Sequence, residues 1–174
     1  VTKGFRDQIR IAYQARPRLF DRKITLPEML YERIEEVSER IDAQDNVLVP
    51  LDLDDLRPRL QAAYDDGIRS VAIVLMHAYR VPAHEQKIAE LARQIGFSQI
   101  STSHETSSMI KFVGRGDTTI ADAYLSPILR RYIDRIADAL SHEGNSTNLQ
   151  LMQSNGGLTD SSLFQGKDAI LSGP

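Results

Sequence analysis

The spacing of apolar positions changes several times along this chain, and each change predicts an element. In GFRDQIRIAYQARP, Phe5, Ile9, Ile11 and Ala12 fall at helical intervals, and Pro17 is expected to end that helix. MLYERIEEVSERID is ambiguous, because Ile34, Val37 and Ile41 also suit a helix. The β-branched residues around the polar turn Ala43–Asn46, with Val47 and Val49 alternating before Pro50, favour a hairpin there. DLDDLRPRLQAAYDDG predicts a helix with acidic residues at its start and Gly67 as its stop. Proline is best tolerated in a first turn, so Pro58 suggests a start later than the acidic run.

RSVAIVLM (69–76) is a near-continuous apolar run, the pattern of a strand covered on both faces. AHEQKIAELARQIGF follows as an amphipathic helix stopped by Gly96, and QISTS reads as the next strand. Together they predict a βαβ unit, a parallel pair with a right-handed crossover. GDTTIADAYLSPILRRYIDRIADALSHEG is the longest helical stretch, with Asp117 as its expected N-cap. Ile120, Tyr124, Ile128, Tyr132 and Ile136 recur four apart along it, and Pro127 is expected to kink or split it. NLQLMQS predicts a strand, Asn155–Gly157 a turn, and DAIL a final buried strand. The class is α/β, with a parallel βαβ unit, a long helix and an added β-hairpin. Three segments follow: residues 1–50, an N-terminal helix and hairpin; 51–147, the βαβ region with the long helix; and 148–174, strands leading into a glycine-rich loop.

Composition narrows the function classes. The 174 residues are 41% hydrophobic and 26% charged, ordinary for a globular chain long enough to bury a core. The absence of cysteine excludes disulfides, thiolate metal sites and thiol nucleophiles, and suits a reducing compartment. A net charge of −3 argues against nucleic-acid and anionic-membrane partners. The longest apolar run, SVAIVLM, is too short to span a bilayer, and with no signal peptide visible the expected location is cytoplasmic.

Four stretches carry candidate chemistry. In Ser154–Asn155–Gly156–Gly157, two glycines after a strand let backbone N–H groups approach an anion, yet Asn-Gly is also the strongest short hairpin signal. LSGP has the form of a strand entering a phosphate-binding turn. LMHAYRVPAHE puts His77 just beyond a parallel strand, where open sheets bind ligands. A metal reading of His77, His84, Glu85 and His104 matches no established zinc spacing, and no metal site is expected. KFVGRGDTT sets Arg115 beside a helix start, suited to a carboxylate or phosphate, or equally to an ordinary capped loop.

Taken in order, VTKGFRD, QARPRLFD, LYERIEEVSERID, GIRSVAIVLMHAYRVPAHE, VGRGDTTIADAYLSP, LMQSNGGL and AILSGP resemble the hydantoinase/5-oxoprolinase family along the whole chain. The segments LFD, LMHAY with its following His-Glu, and the Arg-Gly…Thr-Thr…Ala-Asp-Ala-Tyr-Leu stretch look closest to its oxoprolinase branch. The resemblance implies one lobe of an actin-like, sugar-kinase-like ATPase fold, with ATP, Mg²⁺ and K⁺ as cofactors. It implies ATP-dependent opening of 5-oxo-L-proline to glutamate, with ADP and phosphate released.

By the same resemblance, Ser172, Gly173 and Pro174 match the start of a glycine-rich segment near the nucleotide. Ser154, Asn155, Gly156 and Gly157 match a turn facing the cleft, and Arg115, Gly116 and Thr118 match a segment where a cation meets the substrate carboxylate. The resemblance names no nucleophile. Phosphate loops are expected on either side of this stretch, so the chain is expected to be an internal fragment, inactive alone and prone to self-association through residues 1–16 and 148–174. Its partners would be a small cyclic amide and the rest of a parent polypeptide or a partner subunit, in a homo-oligomer. A hydantoin-opening enzyme, an ATP-dependent carboxylase subunit and a non-catalytic α/β module that binds a partner through residues 22–50 are the other readings.

Overall fold

The computed structural model describes residues 1–11, 18, 20, 22–23, 26, 28–141 and 149–170. In chain order its elements are α1 (Arg6–Ile11), β1 (Arg40–Ile41), β2 (Val47–Val49), α2 (Leu53–Asp65), β3 (Ser70–Ile73), α3 (Ala83–Ile95), β4 (Gln99–Thr102), α4 (Ser103–Thr106), α5 (Phe112–Ser141), β5 (Gln150–Met152) and β6 (Leu158–Asp160). Two 3-10 turns, Ser161–Leu163 and Gly166–Ala169, follow. The expected end of the first helix at Pro17 lies outside the described residues.

β3 and β4 pair in parallel across α3, from Ser70 opposite Gln99 to Ile73 opposite Thr102, as the apolar run and its flanking helix predict. The two-residue period of a strand then sorts the side chains. Ile73 and Leu75 join Leu56 and Leu60 of α2 and Ile88 and Leu91 of α3 in one core. Val74 faces the other way, onto Ile9 and Phe112. The strand is covered on both faces, which its unbroken apolar sequence required.

The hairpin expected at Ala43–Asn46 is present, with Arg40 opposite Val49. Asp42 closes its turn by accepting the backbone N–H groups of Gln44 and Asn46, each at 2.8 Å. The helix α2 begins earlier than Pro58 suggests. The Asp52 carboxylate accepts Asp55 N at 3.0 Å and fixes the start. Pro58 then lies inside the helix on its exposed side.

Three expectations about the C-terminal half are corrected. First, α5 starts at Phe112 rather than Asp117 and runs unbroken through Pro127. Gly116 is a packing position inside the first turns, lying against Ile9 and Val74. Gly166 N donates to Ser126 Oγ at 2.9 Å and Lys167 N to Asp122 Oδ1 at 3.0 Å, bracing the helix beside its proline. Second, the Tyr124–Ile128–Tyr132 stripe is about half exposed, at 48%, 47% and 49%. The buried face instead carries Arg115, Thr119, Asp122, Ala123 and Ile133. Third, DAIL is no strand. Asp168 accepts the N–H of Gln165 at 3.2 Å and curls Gly166–Ala169 into a 3-10 turn; Leu171 lies outside the described residues.

The turn at Asn155–Gly157 joins β5 and β6 as an antiparallel hairpin. Among the described residues no helix is long and apolar enough to cross a membrane.

Candidate functional site

The C-terminal ends of β3 and β4 hold a concentration of buried polar side chains. Glu85 is fully enclosed on the first turn of α3, within reach of both strand ends. Its Oε1 accepts Leu75 N at 2.9 Å and the Ser103 hydroxyl, and its Oε2 accepts His104 N at 3.1 Å and pairs with His104 Nδ1 at 2.7 Å. Beside it, His84 Nδ1 pairs with Glu39 Oε2 at 2.8 Å, and Glu39 also accepts the Thr2 hydroxyl. Asp122 on α5 takes Ser101 Oγ at 2.6 Å and Ser126 Oγ at 3.1 Å. Each buried carboxylate is thus satisfied by several donors, as burial demands.

Arg115 reaches this cluster from α5. Its guanidinium is enclosed; Nη2 donates to Leu75 O at 2.6 Å and Met76 O at 3.0 Å. Tyr79 lies over it, its ring centre 5.4 Å from the guanidinium carbon. Thr118 and Thr119 turn back into their own helix, onto Gly114 O at 2.9 Å and Arg115 O at 2.7 Å. Arg115, Gly116 and Thr118 therefore share one helical turn beside β3, with Arg115 and Gly116 buried and Thr118 half-buried.

The Ser154–Gly157 segment adopts the hairpin geometry. Gly156 has φ +84°, a conformation few other residues take, and Asn155 Oδ1 accepts Gly157 N at 2.8 Å. Ser154 N and Oγ both donate to Asp168 O at 2.6 Å. The structure does not bring this turn against Arg115 through any described hydrogen bond. Ser172, Gly173 and Pro174 lie outside the described residues.

His77, His84, Glu85 and His104 separate into two histidine–carboxylate pairs with His77 apart. No group of three metal-ligating side chains forms among the described residues. A cleft of about 490 Å³ lies along β3 beside Tyr31, Ile34, Ile120 and Tyr124, and neither Glu85 nor Arg115 lines it. Glu39, Ser103 and Asp122 went unnoticed in the sequence. The available signal was a His-Glu pair opening the helix that follows a parallel strand.

The His104–Glu85 bond has a pH signature. The carboxylate holds the imidazole proton, raising His104 above its ordinary value of about 6.5. Because the folded value is raised, the stability this gives is fully present below about pH 6.5 and is lost as pH climbs through the raised value. His104→Asn keeps a donor near the Nδ1 position but cannot titrate. The difference in unfolding free energy between the two proteins is expected to be larger near about pH 6 than near about pH 9. Urea titrations at both values check this.

Residues 1–96 match the family described as the hydantoinase/oxoprolinase N-terminal region, and residues 115–174 match hydantoinase/oxoprolinase itself. The chain belongs to the hydantoinase/oxoprolinase family. It is 37% identical to a 5-oxoprolinase of Saccharomyces cerevisiae over 99% of its length, covering 16% of that protein. It is 38% identical to 5-oxoprolinase 1 of Arabidopsis thaliana over 100% of its length, covering 15% of that protein. The chain thus spans about a sixth of these curated relatives. Among solved structures, an ATP-dependent caprolactamase from Pseudomonas jessenii superposes with a TM-score of 0.84 at 26% identity, over 94% of this chain and 25% of that one. The nucleotide-free structure of an acetone carboxylase shares the fold, with a TM-score of 0.68 over 79% of this chain and 20% of that one.

Proposed function

We propose that this chain is part of a longer ATP-dependent cyclic-amide hydrolase of the 5-oxoprolinase kind, opening 5-oxo-L-proline to L-glutamate with release of ADP and phosphate. The observation that carries the reading is the 37% identity to a 5-oxoprolinase along 99% of the chain. The TM-score of 0.84 to an enzyme that spends ATP on another lactam supports the same reaction class.

The chemistry explains the need for ATP. A lactam carbonyl is a poor electrophile, and transfer of the γ-phosphoryl group to its oxygen makes the carbon open to water. One water adds at that carbon and the C–N bond breaks, opening the ring to an acyl phosphate. A second water attacks the same carbon, breaking its C–O bond to release phosphate and leave the free carboxylate and amine. Catalysis of this kind rests on positioning and charge stabilisation. In this chain the buried side chains at the ends of β3 and β4 suit positioning, since each is locked by several hydrogen bonds. We expect the phosphate-binding elements to lie largely in the rest of the longer protein, and this chain alone to release no ADP.

The test is ADP release by the longer protein, with MgATP and K⁺, offered 5-oxo-L-proline, hydantoin or caprolactam, against a control without substrate. Stimulation by 5-oxo-L-proline with glutamate formed alongside is the expected result. Stimulation by hydantoin or caprolactam alone keeps the reaction class and replaces the substrate. A carboxylase subunit is the second reading, favoured by 32% identity to an acetophenone carboxylase gamma subunit over 71% of this chain. ADP release dependent on bicarbonate and a ketone, with no lactam response, would select it.

A further inference from the structure

Charged side chains are rarely enclosed unless paired, and here two of them converge on the backbone of one residue. Leu75 N donates to Glu85 Oε1 at 2.9 Å, while Leu75 O accepts Arg115 Nη2 at 2.6 Å. Met76 is held the same way: its N–H donates to Thr2 Oγ1 at 3.1 Å, and its carbonyl accepts the same Arg115 nitrogen at 3.0 Å. All four backbone polar groups of residues 75 and 76 are therefore gripped by side chains from α3, α5 and the N-terminal segment.

Packing alone does not explain this. Well-fitted apolar residues would fill the same space without the desolvation cost of buried charge. What charged hydrogen bonds add is direction, fixing the backbone as it leaves β3. The turn that follows is closed by Ala78 N to Leu75 O at 3.3 Å and by Arg80 N and Val81 N to His77 O, both at 3.0 Å. It carries His77 and Tyr79, whose rings lie 6.0 Å apart.

Unpaired polar atoms lie at this turn and on the arginine that holds it. His77 Nδ1, and Nε and Nη1 of Arg115, are buried without a partner among the described residues. Buried donors left unmet are costly, so they mark a place that receives a group from outside. With its proton on Nδ1, His77 presents a donor there that an anionic oxygen satisfies, while the guanidinium stays engaged on the Leu75 and Met76 carbonyls. The turn sits at the C-terminal end of a parallel strand, where open α/β sheets take their ligands.

We propose that Glu85 and Arg115 are positioning residues that fix the turn Leu75–Tyr79 so that His77 donates to an anionic oxygen of the substrate or of ATP. The inference rests on the lactam-hydrolase reading above and adds to it a contact residue and its supports.

The experiment is steady-state ADP release by the longer protein with MgATP and 5-oxo-L-proline, with melting temperature measured alongside. The variants are His77→Gln, Arg115→Met, Arg115→Lys and the double variant His77→Gln/Arg115→Met. Arg115→Met and His77→Gln are each expected to lower kcat/KM about ten- to a hundredfold, the scale of a misplaced contact. Arg115→Lys should recover part of the loss. The double variant should be no worse than the poorer single one, because Arg115 acts through His77. A rise in KM confined to 5-oxo-L-proline assigns the oxygen to the substrate carboxylate, and one confined to ATP assigns it to a phosphate.

Melting that drops while kcat/KM per folded molecule holds would overturn the inference, as would losses that multiply in the double variant. If the wild type responds to no lactam, the functional reading fails and amide exchange decides the support. Faster exchange at Leu75, Met76 and Ala78 alone in Arg115→Met keeps the support, and unchanged exchange there removes it.

Discussion

Glu85→Ala is expected to lose about 3–5 kcal/mol of folding stability, the scale of breaking a buried charge cluster from one side. The substitution leaves Leu75 N, Ser103 Oγ and His104 N without their acceptor in a place that solvent does not reach. It also removes the opposing charge that favours the Arg115 cation. An exposed carboxylate on the same helix gives the contrast. Glu90 pairs with Arg93 at 3.2 Å in solvent, and Glu90→Ala is expected to change stability by less than about 0.5 kcal/mol. Urea unfolding of the three proteins measures both. A Glu85→Ala loss as small as that of Glu90→Ala would mean that the strand ends are held by packing alone.

The second large effect comes from a glycine. A Cβ on Gly166 would stand 2.7 Å from Ser126 N and 2.9 Å from Asp122 O, both backbone atoms of α5. A helix backbone cannot yield locally, so Gly166→Ala must lift the 3-10 turn away. Doing so breaks the bonds from Gly166 N to Ser126 and from Lys167 N to Asp122. About 1–3 kcal/mol is expected, with faster proteolysis around residues 164–170. Gly116→Ala meets an equally short contact, 2.7 Å, but with Ile9 Cδ1. That atom is the end of a flexible side chain, so the loss should be clearly smaller. Thermal unfolding of the two variants ranks them, and the reverse order would contradict this account of how the 3-10 turn docks.

The same contrast shows which parts of the fold were legible in the sequence. The parallel unit was, because β3 is apolar without interruption and α3 repeats at helical spacing up to Gly96. The hairpin around Ala43–Asn46 was, because β-branched residues bracket a polar turn. The helix α5 misled in a specific way. Its apolar stripe at Tyr124, Ile128 and Tyr132 is about half exposed, while the face that packs on the sheet carries Arg115, Thr119 and Asp122. Periodicity reads side-chain polarity, and a buried face built from charged and hydroxyl groups satisfied by distant partners reads as surface. Gly116 reinforced the error, since a glycine that admits close packing reads like part of a loop.

The candidate site was legible only in fragments. His77, His84, Glu85 and His104 drew notice together. Their actual partners, Glu39 for His84 and the Leu75 peptide for Glu85, are 45 and 10 residues away, beyond the reach of local spacing. At Asn155–Gly157 the sequence allowed either an anion cradle or a hairpin, and the hydrogen bond from Gly157 N to Asn155 Oδ1 is that of the hairpin.

The central claim is that ATP is spent on the carbonyl oxygen of a cyclic amide. It is tested most directly by giving the longer protein 5-oxo-L-proline with ¹⁸O in its ring carbonyl and analysing the phosphate released. Activation of that oxygen predicts labelled phosphate, formed in step with ADP and glutamate. Glutamate appearing with unlabelled phosphate, or with no ADP at all, would contradict the account.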